Sequence, residues 1–160
     1  MADALIEQLE STGVTHELVD CDPALADTAE FCAAYGFRLA DSANTILVIG
    51  KSDPPVYAAC VVLANTRLDV NKVVRKRLGT KKASFASGEA TVAVTGMQIG
   101  GVTPFGLPAD LAVWVDARVM QRERIILGGG GRARKVLADP AILTAIGADV
   151  VEDLAREIEG

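Results

Sequence analysis

Apolar residues change period along this chain, and the period predicts its elements. Helical spacing over Ala4 to Leu9, stopped by Gly13, predicts a short amphipathic helix. Val14 to Val19 read as a first strand, with His16 inside it. Asp27 or Thr28 caps a helix running to Tyr35 and ending at Gly36. Thr45 to Ile49 form a strand, Ser52-Asp53-Pro54-Pro55 turn it, and Val56 to Leu63 return as a second strand. The run Val56 to Ala64 is apolar throughout, which fits a strand buried on both faces.

Further along, Asp69 caps a basic helix, Val70 to Leu78, that Gly79 ends. Ala83 to Ala86 read as a short strand, and Ser87 caps a helix reaching Thr95-Gly96. Leu111 to Val115 form a strand, Asp116 to Met120 a turn of helix, and Arg124 to Leu127 another strand. Gly128 to Gly131 interrupt, and Ala133 to Leu137 resume the sheet. Asp139-Pro140 open a helix that ends at Gly147, and Glu152 to Ile158 read as a final short helix. Strands adjacent in sequence with helices between them predict a curved mixed sheet rather than a doubly wound one.

One loop interrupts this pattern with chemistry of its own. Gly100-Gly101-Val102-Thr103-Pro104-Phe105-Gly106-Leu107-Pro108 holds three glycines and two prolines between two apolar segments. Glycine lets a ligand approach the main chain, and proline stiffens it. A rigid loop with bare amides suits an oxyanion or a carbonyl, although the same composition also serves plain turns.

Composition narrows the function classes. At 160 residues the chain reads as one domain, 1–160, with half its residues apolar and 23% charged, which excludes a disordered segment. No apolar run approaches the roughly 20 residues of a membrane helix. The start Met1-Ala2-Asp3-Ala4-Leu5-Ile6-Glu7-Gln8 lacks a basic leader pattern, so no signal peptide is expected. Cys21, Cys32 and Cys60 are odd in number and widely spaced, which predicts neither a disulfide framework nor a metal set but a cytoplasmic setting. A net charge of −5 argues against wholesale wrapping of nucleic acid and leaves room for a local basic patch.

Several catalytic classes find no residues. His16 is the sole histidine and reads as structural, so a Ser-His or Cys-His pair is not expected. No ligand cluster for zinc is present in the sequence. Gly128 to Gly131 lack the Gly-Lys-Ser/Thr of a phosphate-binding loop, and no dinucleotide fingerprint occurs. No cofactor is expected. Lys72, Arg75, Lys76, Arg77, Lys81 and Lys82 concentrate positive charge, either as a solvated helix face or as a phosphate-contacting patch. Arg132, Arg134 and Lys135 form a smaller basic group beside the glycine run.

The order of these features resembles a known family. It is carried by the buried hairpin, then Asp69-Val70-Asn71-Lys72-Val73, then Lys81 to Ser87, then Thr95-Gly96-Met97-Gln98-Ile99-Gly100-Gly101-Val102-Thr103-Pro104-Phe105-Gly106-Leu107-Pro108, and finally Gly128 to Arg132. The chain resembles the YbaK-like aminoacyl-tRNA deacylases, relatives of the editing domain of bacterial prolyl-tRNA synthetases, from about Leu5 to Leu154. The resemblance implies an α+β domain with a curved, mixed, partly open barrel-like sheet and flanking helices. It implies hydrolysis of amino acids wrongly attached to tRNA, often the tRNA for proline. Such editing is needed because a pocket separates substrates differing by one methylene by only ~1–3 kcal/mol.

Carried over, the resemblance makes Gly100 and Gly101 catalytic through their amides, together with Asn44. Thr45, Ile46, Val102, Thr103, Pro104, Gly130 and Arg132 become the substrate-binding set. Lys72, Arg75, Lys76, Lys81 and Lys82 become the contacts to the tRNA acceptor end. Prolyl-tRNA synthetase is the candidate protein partner, and neither DNA nor a membrane is expected. One departure stands out. Asn44 occupies the position where the family usually carries a lysine, before Thr45-Ile46-Leu47. A charged hydrogen bond is worth ~1.5–3 kcal/mol against ~1 for a neutral one. The expected function is therefore a freestanding editing hydrolase. The alternative is a silent relative that binds aminoacyl-tRNA or regulates without turnover.

Overall fold

The computed structural model describes residues 3–158. In chain order the elements are α1 (Ala4–Thr12), β1 (His16–Asp20), α2 (Thr28–Tyr35), β2 (Ala43–Gly50), β3 (Val56–Leu63), β4 (Thr66–Leu68), α3 (Arg75–Leu78), β5 (Ala83–Phe85), α4 (Gly88–Thr95), β6 (Ala112–Asp116), β7 (Ile125–Gly128), β8 (Arg134–Ala138), α5 (Ala141–Ala145), β9 (Asp149–Val151) and β10 (Ala155–Glu157). The predicted hairpin is present, with Ala43 opposite Leu63 and Gly50 opposite Val56.

The hairpin forms the middle of a five-stranded mixed sheet ordered β5-β2-β3-β6-β9, in which β3, β6 and β9 run parallel. One face of this sheet, through Val61, Leu63 and Val115, packs on Ile125, Leu127 and Val136 of the three-stranded sheet β1-β8-β7, with α1 and α5 closing the ends. The other face, through Val48, Ala58, Cys60, Val62 and Trp114, packs on Val70, Val74 and Leu154. Burial from both sides is why β3 reads as an unbroken apolar run instead of alternating. A parallel bridge between Ser42 and Ile126 ties the start of β2 to β7. The fold is α+β with a mixed sheet, as expected, and the sheets do not close into a barrel.

Several elements differ from expectation. The segment Glu152 to Ile158 contains strand β10, not a helix, and β10 pairs antiparallel with β4. That pairing joins residues about 90 apart in sequence, so no local pattern shows it. The basic helix after Asp69 begins as a wide π turn over Val70–Val74 and becomes α-helical only at Arg75. Asp27 precedes α2 without capping it, because its carboxylate accepts from Arg132 Nη1 at 3.1 Å instead. His16 is structural: its Nδ1 lies 2.8 Å from the Val14 carbonyl.

Candidate active site

A cavity of about 330 Å³ opens where β5 stops short along β2. β5 pairs with Val48 to Gly50, and Ala86 N–H adds one bond to Leu47 O at 2.9 Å. Strand alternation turns the backbone of Thr45 toward that same edge, beyond the reach of β5. The open edge of β2 from Ala43 to Leu47 becomes one wall. Asp27 and Thr28 at the start of α2, Ile99, Gly100 and Val102 of the loop, and Gly128 and Lys135 from the three-stranded sheet supply the others.

The glycine loop divides into two parts with different work. Thr103 and Phe105 are fully buried, and Phe105 joins the main apolar cluster with Leu5 and Leu127. Pro104 is buried with them. Thr103 and Pro104 therefore anchor the loop in the core and do not line the cavity, contrary to the carried-over assignment. The reason is apolar weight: Val-Thr-Pro-Phe places a large aromatic where only the interior can take it.

Gly100 and Val102 do line the cavity, and their N–H groups have no hydrogen-bond partner among the described residues. Gly101 is different. Its N–H donates to Gln98 O at 2.9 Å, its carbonyl accepts from Gly130 N–H at 2.6 Å, and it is buried. The available donors are thus Gly100 and Val102, not the expected Gly100 and Gly101. Gly101 serves a packing role, because a Cβ there would overlap the Gly131 carbonyl. Gly130 likewise braces the loop from behind and does not face the cavity.

Lys135 is the residue the sequence reading missed. It sits on β8 opposite Gly128 of β7, only 7% exposed. Its Nζ donates to Ala26 O at 2.6 Å and to Gly100 O at 2.8 Å, and lies 5.4 Å from the Phe31 ring centre. An ammonium has three donors, so one remains beyond these two carbonyls. Burial pushes its pKa below the ordinary lysine range, with the Arg132 charge acting in the same direction. In sequence it appears as the last member of Arg132-Ala133-Arg134-Lys135 and looks solvated. The signal that could have found it is its place inside the apolar strand Lys135-Val136-Leu137-Ala138, where alternation turns it toward the same side as Leu137.

Arg132 was expected in the substrate-binding set, but its side chain works inside the protein. Nε donates to Pro23 O at 2.9 Å, and Nη1 donates to Ile99 O at 2.8 Å and to the Asp27 carboxylate. That hydrogen bond, and then the guanidinium charge, hold the Asp27 carboxyl below the usual carboxylate range. Asn44 lines the cavity, and its Oδ1 accepts from Thr28 Oγ1 at 2.8 Å, which leaves its amide N–H₂ free to donate. Thr45 and Ile46 line it too, and Thr45 Oγ1 has no hydrogen-bond partner. Among the described residues no group of three or more His, Cys, Asp or Glu side chains is placed to hold a metal ion.

Of the basic residues, Lys72, Lys76, Lys81 and Lys82 are exposed. Arg75 is half-buried and donates to the Asn71 and Thr80 carbonyls. Arg77 lies over Trp114 at 4.7 Å. Lys51 N–H donates to Lys82 O, so Lys51 joins Lys81 and Lys82 at the far end of β2. Four strand residues, about 13 Å, separate Lys51 from the cavity wall at Leu47. These three lysines therefore stand beside the cavity and do not line it.

The model of the aminoacyl-tRNA editing domain family matches residues 22–145. The chain belongs to that family. A protein of Enterococcus faecalis named "Putative Cys-tRNA(Pro)/Cys-tRNA(Cys) deacylase EbsC" is 29% identical over 115 residues, covering 71% of this chain and 68% of that protein. The crystal structure of the hypothetical protein APE2540 superposes with a TM-score of 0.85 at 24% identity, covering 96% of this chain and all of that one. The structure of "a putative trans-editing enzyme for prolyl tRNA synthetase" superposes with a TM-score of 0.79 at 21% identity over 99% of each chain. These two likenesses concern the fold. No helix among the described residues is long and apolar enough to cross a membrane.

Proposed function

We propose that this chain is a freestanding hydrolase that cleaves the ester of misacylated tRNA. Water adds to the ester carbonyl, the acyl–oxygen bond breaks, and the products are the free amino acid and the terminal ribose hydroxyl. The observation that carries the reading is the pair of unpartnered N–H groups, Gly100 and Val102, on the wall of a cavity of about 330 Å³. That volume lies at the small end of ligand sites and suits a compact aminoacyl group. Preorganised amides cost no reorientation when the carbonyl oxygen gains charge, and one such donor is worth about 3–4 kcal/mol. No nucleophile or base is needed from a side chain in this scheme. The Asn44 amide orients the ribose or the attacking water, and Thr45 and Ile46 shape the amino-acid side of the pocket. The exposed lysines Lys72, Lys76, Lys81 and Lys82 hold acceptor-end phosphates beside it.

The likeness to EbsC makes Cys-tRNA(Pro) the first substrate to try, and prolyl-tRNA synthetase the first protein partner. The test is deacylation of a panel of misacylated tRNAs by the wild type, Asn44→Ala and Asn44→Lys. Cleavage above the spontaneous rate that falls in Asn44→Ala supports the reading. No cleavage of any member by the wild type overturns it. A second reading, an aminoacyl-tRNA-binding module without turnover, is favoured by one observation: Asn44 brings no charge and already accepts from Thr28. Activity gained only in Asn44→Lys supports that alternative.

A further inference from the structure

Two cations grip consecutive carbonyls of the glycine loop. Arg132 Nη1 donates to Ile99 O at 2.8 Å, and Lys135 Nζ donates to Gly100 O at 2.8 Å. We infer that Arg132 and Lys135 are positioning residues that fix the peptide groups on either side of Gly100 and so aim its N–H into the cavity. This rests on the function proposed above, in which that N–H meets the developing oxyanion.

The argument starts from peptide geometry. In a trans peptide the N–H points opposite to the C=O. The first peptide joins Ile99 C=O to Gly100 N–H. Holding that carbonyl on Arg132 directs the N–H to the other side, where Gly100 lines the cavity. The second peptide joins Gly100 C=O to Gly101 N–H. It is pinned at both ends, by Lys135 and by Gln98 O at 2.9 Å. Gly100 has φ of +92° and its neighbour is also glycine, so the bare chain has little intrinsic barrier to a peptide flip. A flip would present a carbonyl oxygen where the oxyanion forms and reverse the sign of the interaction.

The grips are themselves anchored on one short segment. Arg132 Nε holds Pro23 O, its Nη1 holds the Asp27 carboxylate, and its backbone N–H donates to Gln98 Oε1 at 3.0 Å. Lys135 holds Ala26 O. Both side chains thus tie residues 23–27 to the loop. Charged donors on a carbonyl also polarise the peptide, which strengthens the N–H at its other end. Nothing in this arrangement requires either cation to touch substrate.

The experiment compares wild type, Arg132→Met, Arg132→Lys and Lys135→Met by single-turnover deacylation of Cys-tRNA(Pro) and by amide hydrogen exchange followed with NMR. Each Met variant is expected to lower kcat about 10- to 100-fold, short of losing a whole donor, with KM within about twofold. Arg132→Lys keeps the charge but not the fork, and is expected to fall between wild type and Arg132→Met. In Lys135→Met the Gly101 amide loses exchange protection, and in Arg132→Met the Gly100 resonance shifts or broadens. Unchanged kcat with unchanged Gly100 and Gly101 amides overturns the inference. So does a loss confined to KM. If wild type cleaves none of the esters, the amide readout decides alone: altered amides keep the peptide lock while the hydrolase reading fails. If Lys135→Met does not fold, the two Arg132 variants carry the test, since that side chain is partly exposed.

Discussion

Lys135 Nζ lies 2.8 Å from the carbonyl oxygen of Gly100, across the gap between the three-stranded sheet and the glycine loop. The contact joins a group that titrates to the peptide next to the proposed oxyanion donor. Burial lowers the Lys135 pKa from the ordinary 10.5, so its proton leaves at a pH where exposed lysines keep theirs. Deacylation above the spontaneous rate is expected to fall in that alkaline window. Stability moves the other way. Between the lowered value and 10.5 the unfolded chain binds more protons than the folded one, so the Lys135 contribution to stability rises with pH. A pH–rate profile beside a pH–Tm profile checks this. Activity that falls only where the protein also loses stability would contradict it.

Gly100→Ala and Gly101→Ala are expected to fail for different reasons. Gly100 has φ of +92°, and a Cβ there overlaps Arg132 Nη1, the far end of a flexible side chain. A left-handed alanine costs roughly 1–2 kcal/mol, which the fold can absorb while the donor is displaced. About 100-fold loss of kcat with a folded protein is expected. At Gly101 the overlap is with the Gly131 backbone, which cannot swing away. That variant is expected to show a clearly lower Tm. The measurements are circular-dichroism melts and single-turnover rates on both proteins.

Thr103→Val is expected to raise stability by about 1 kcal/mol. Thr103 is fully buried, and its Oγ1 has no hydrogen-bond partner. Valine keeps the shape and removes the unsatisfied hydroxyl. Urea titration measures the change, and the deacylation rate should stay the same, because this side chain anchors the loop without lining the cavity. Destabilisation by the substitution would show that the hydroxyl has a partner.

Lys81→Glu with Lys82→Glu is expected to raise KM for tRNA and leave kcat near the wild-type value. The two side chains are exposed beside Lys51, about 13 Å from the cavity wall. Phosphate contacts of this kind make binding salt-dependent, with a slope of about 0.7–0.9 per contact in log–log form. The double variant should show a shallower salt dependence in a binding titration. An unchanged slope would remove these lysines from the interface.

Much of the fold was legible because its signals are local. The Ser52-Asp53-Pro54-Pro55 turn between two apolar runs marks the β2–β3 hairpin, and Gly36, Gly79 and Gly96 stand at left-handed helix ends. The strand pairing of β4 with β10 was not legible, because its three-residue strands draw their stability from a distant partner. The site divided in the same way. Asn44, Thr45, Ile46, Gly100 and Val102 were nominated from the chain and do meet around one cavity. Gly101, Thr103, Pro104, Gly130 and Arg132 are expected with them, and the structure turns them to packing or bracing.

The amino-acid order by itself determined that a bare, stiff loop would follow the hairpin and its helices, since glycine and proline constrain the backbone wherever they stand. Only the tertiary structure decided which amides of that loop stay free. Gln98 takes the N–H of Gly101, while Arg132 and Lys135 take the carbonyls of Ile99 and Gly100. A hydrogen bond depends on distance and direction between groups that lie more than 30 residues apart in the last two pairs. Residue spacing carries no record of that distance, so the burial of Lys135 and the vacancy of the Gly100 N–H emerge only once the sheets are packed.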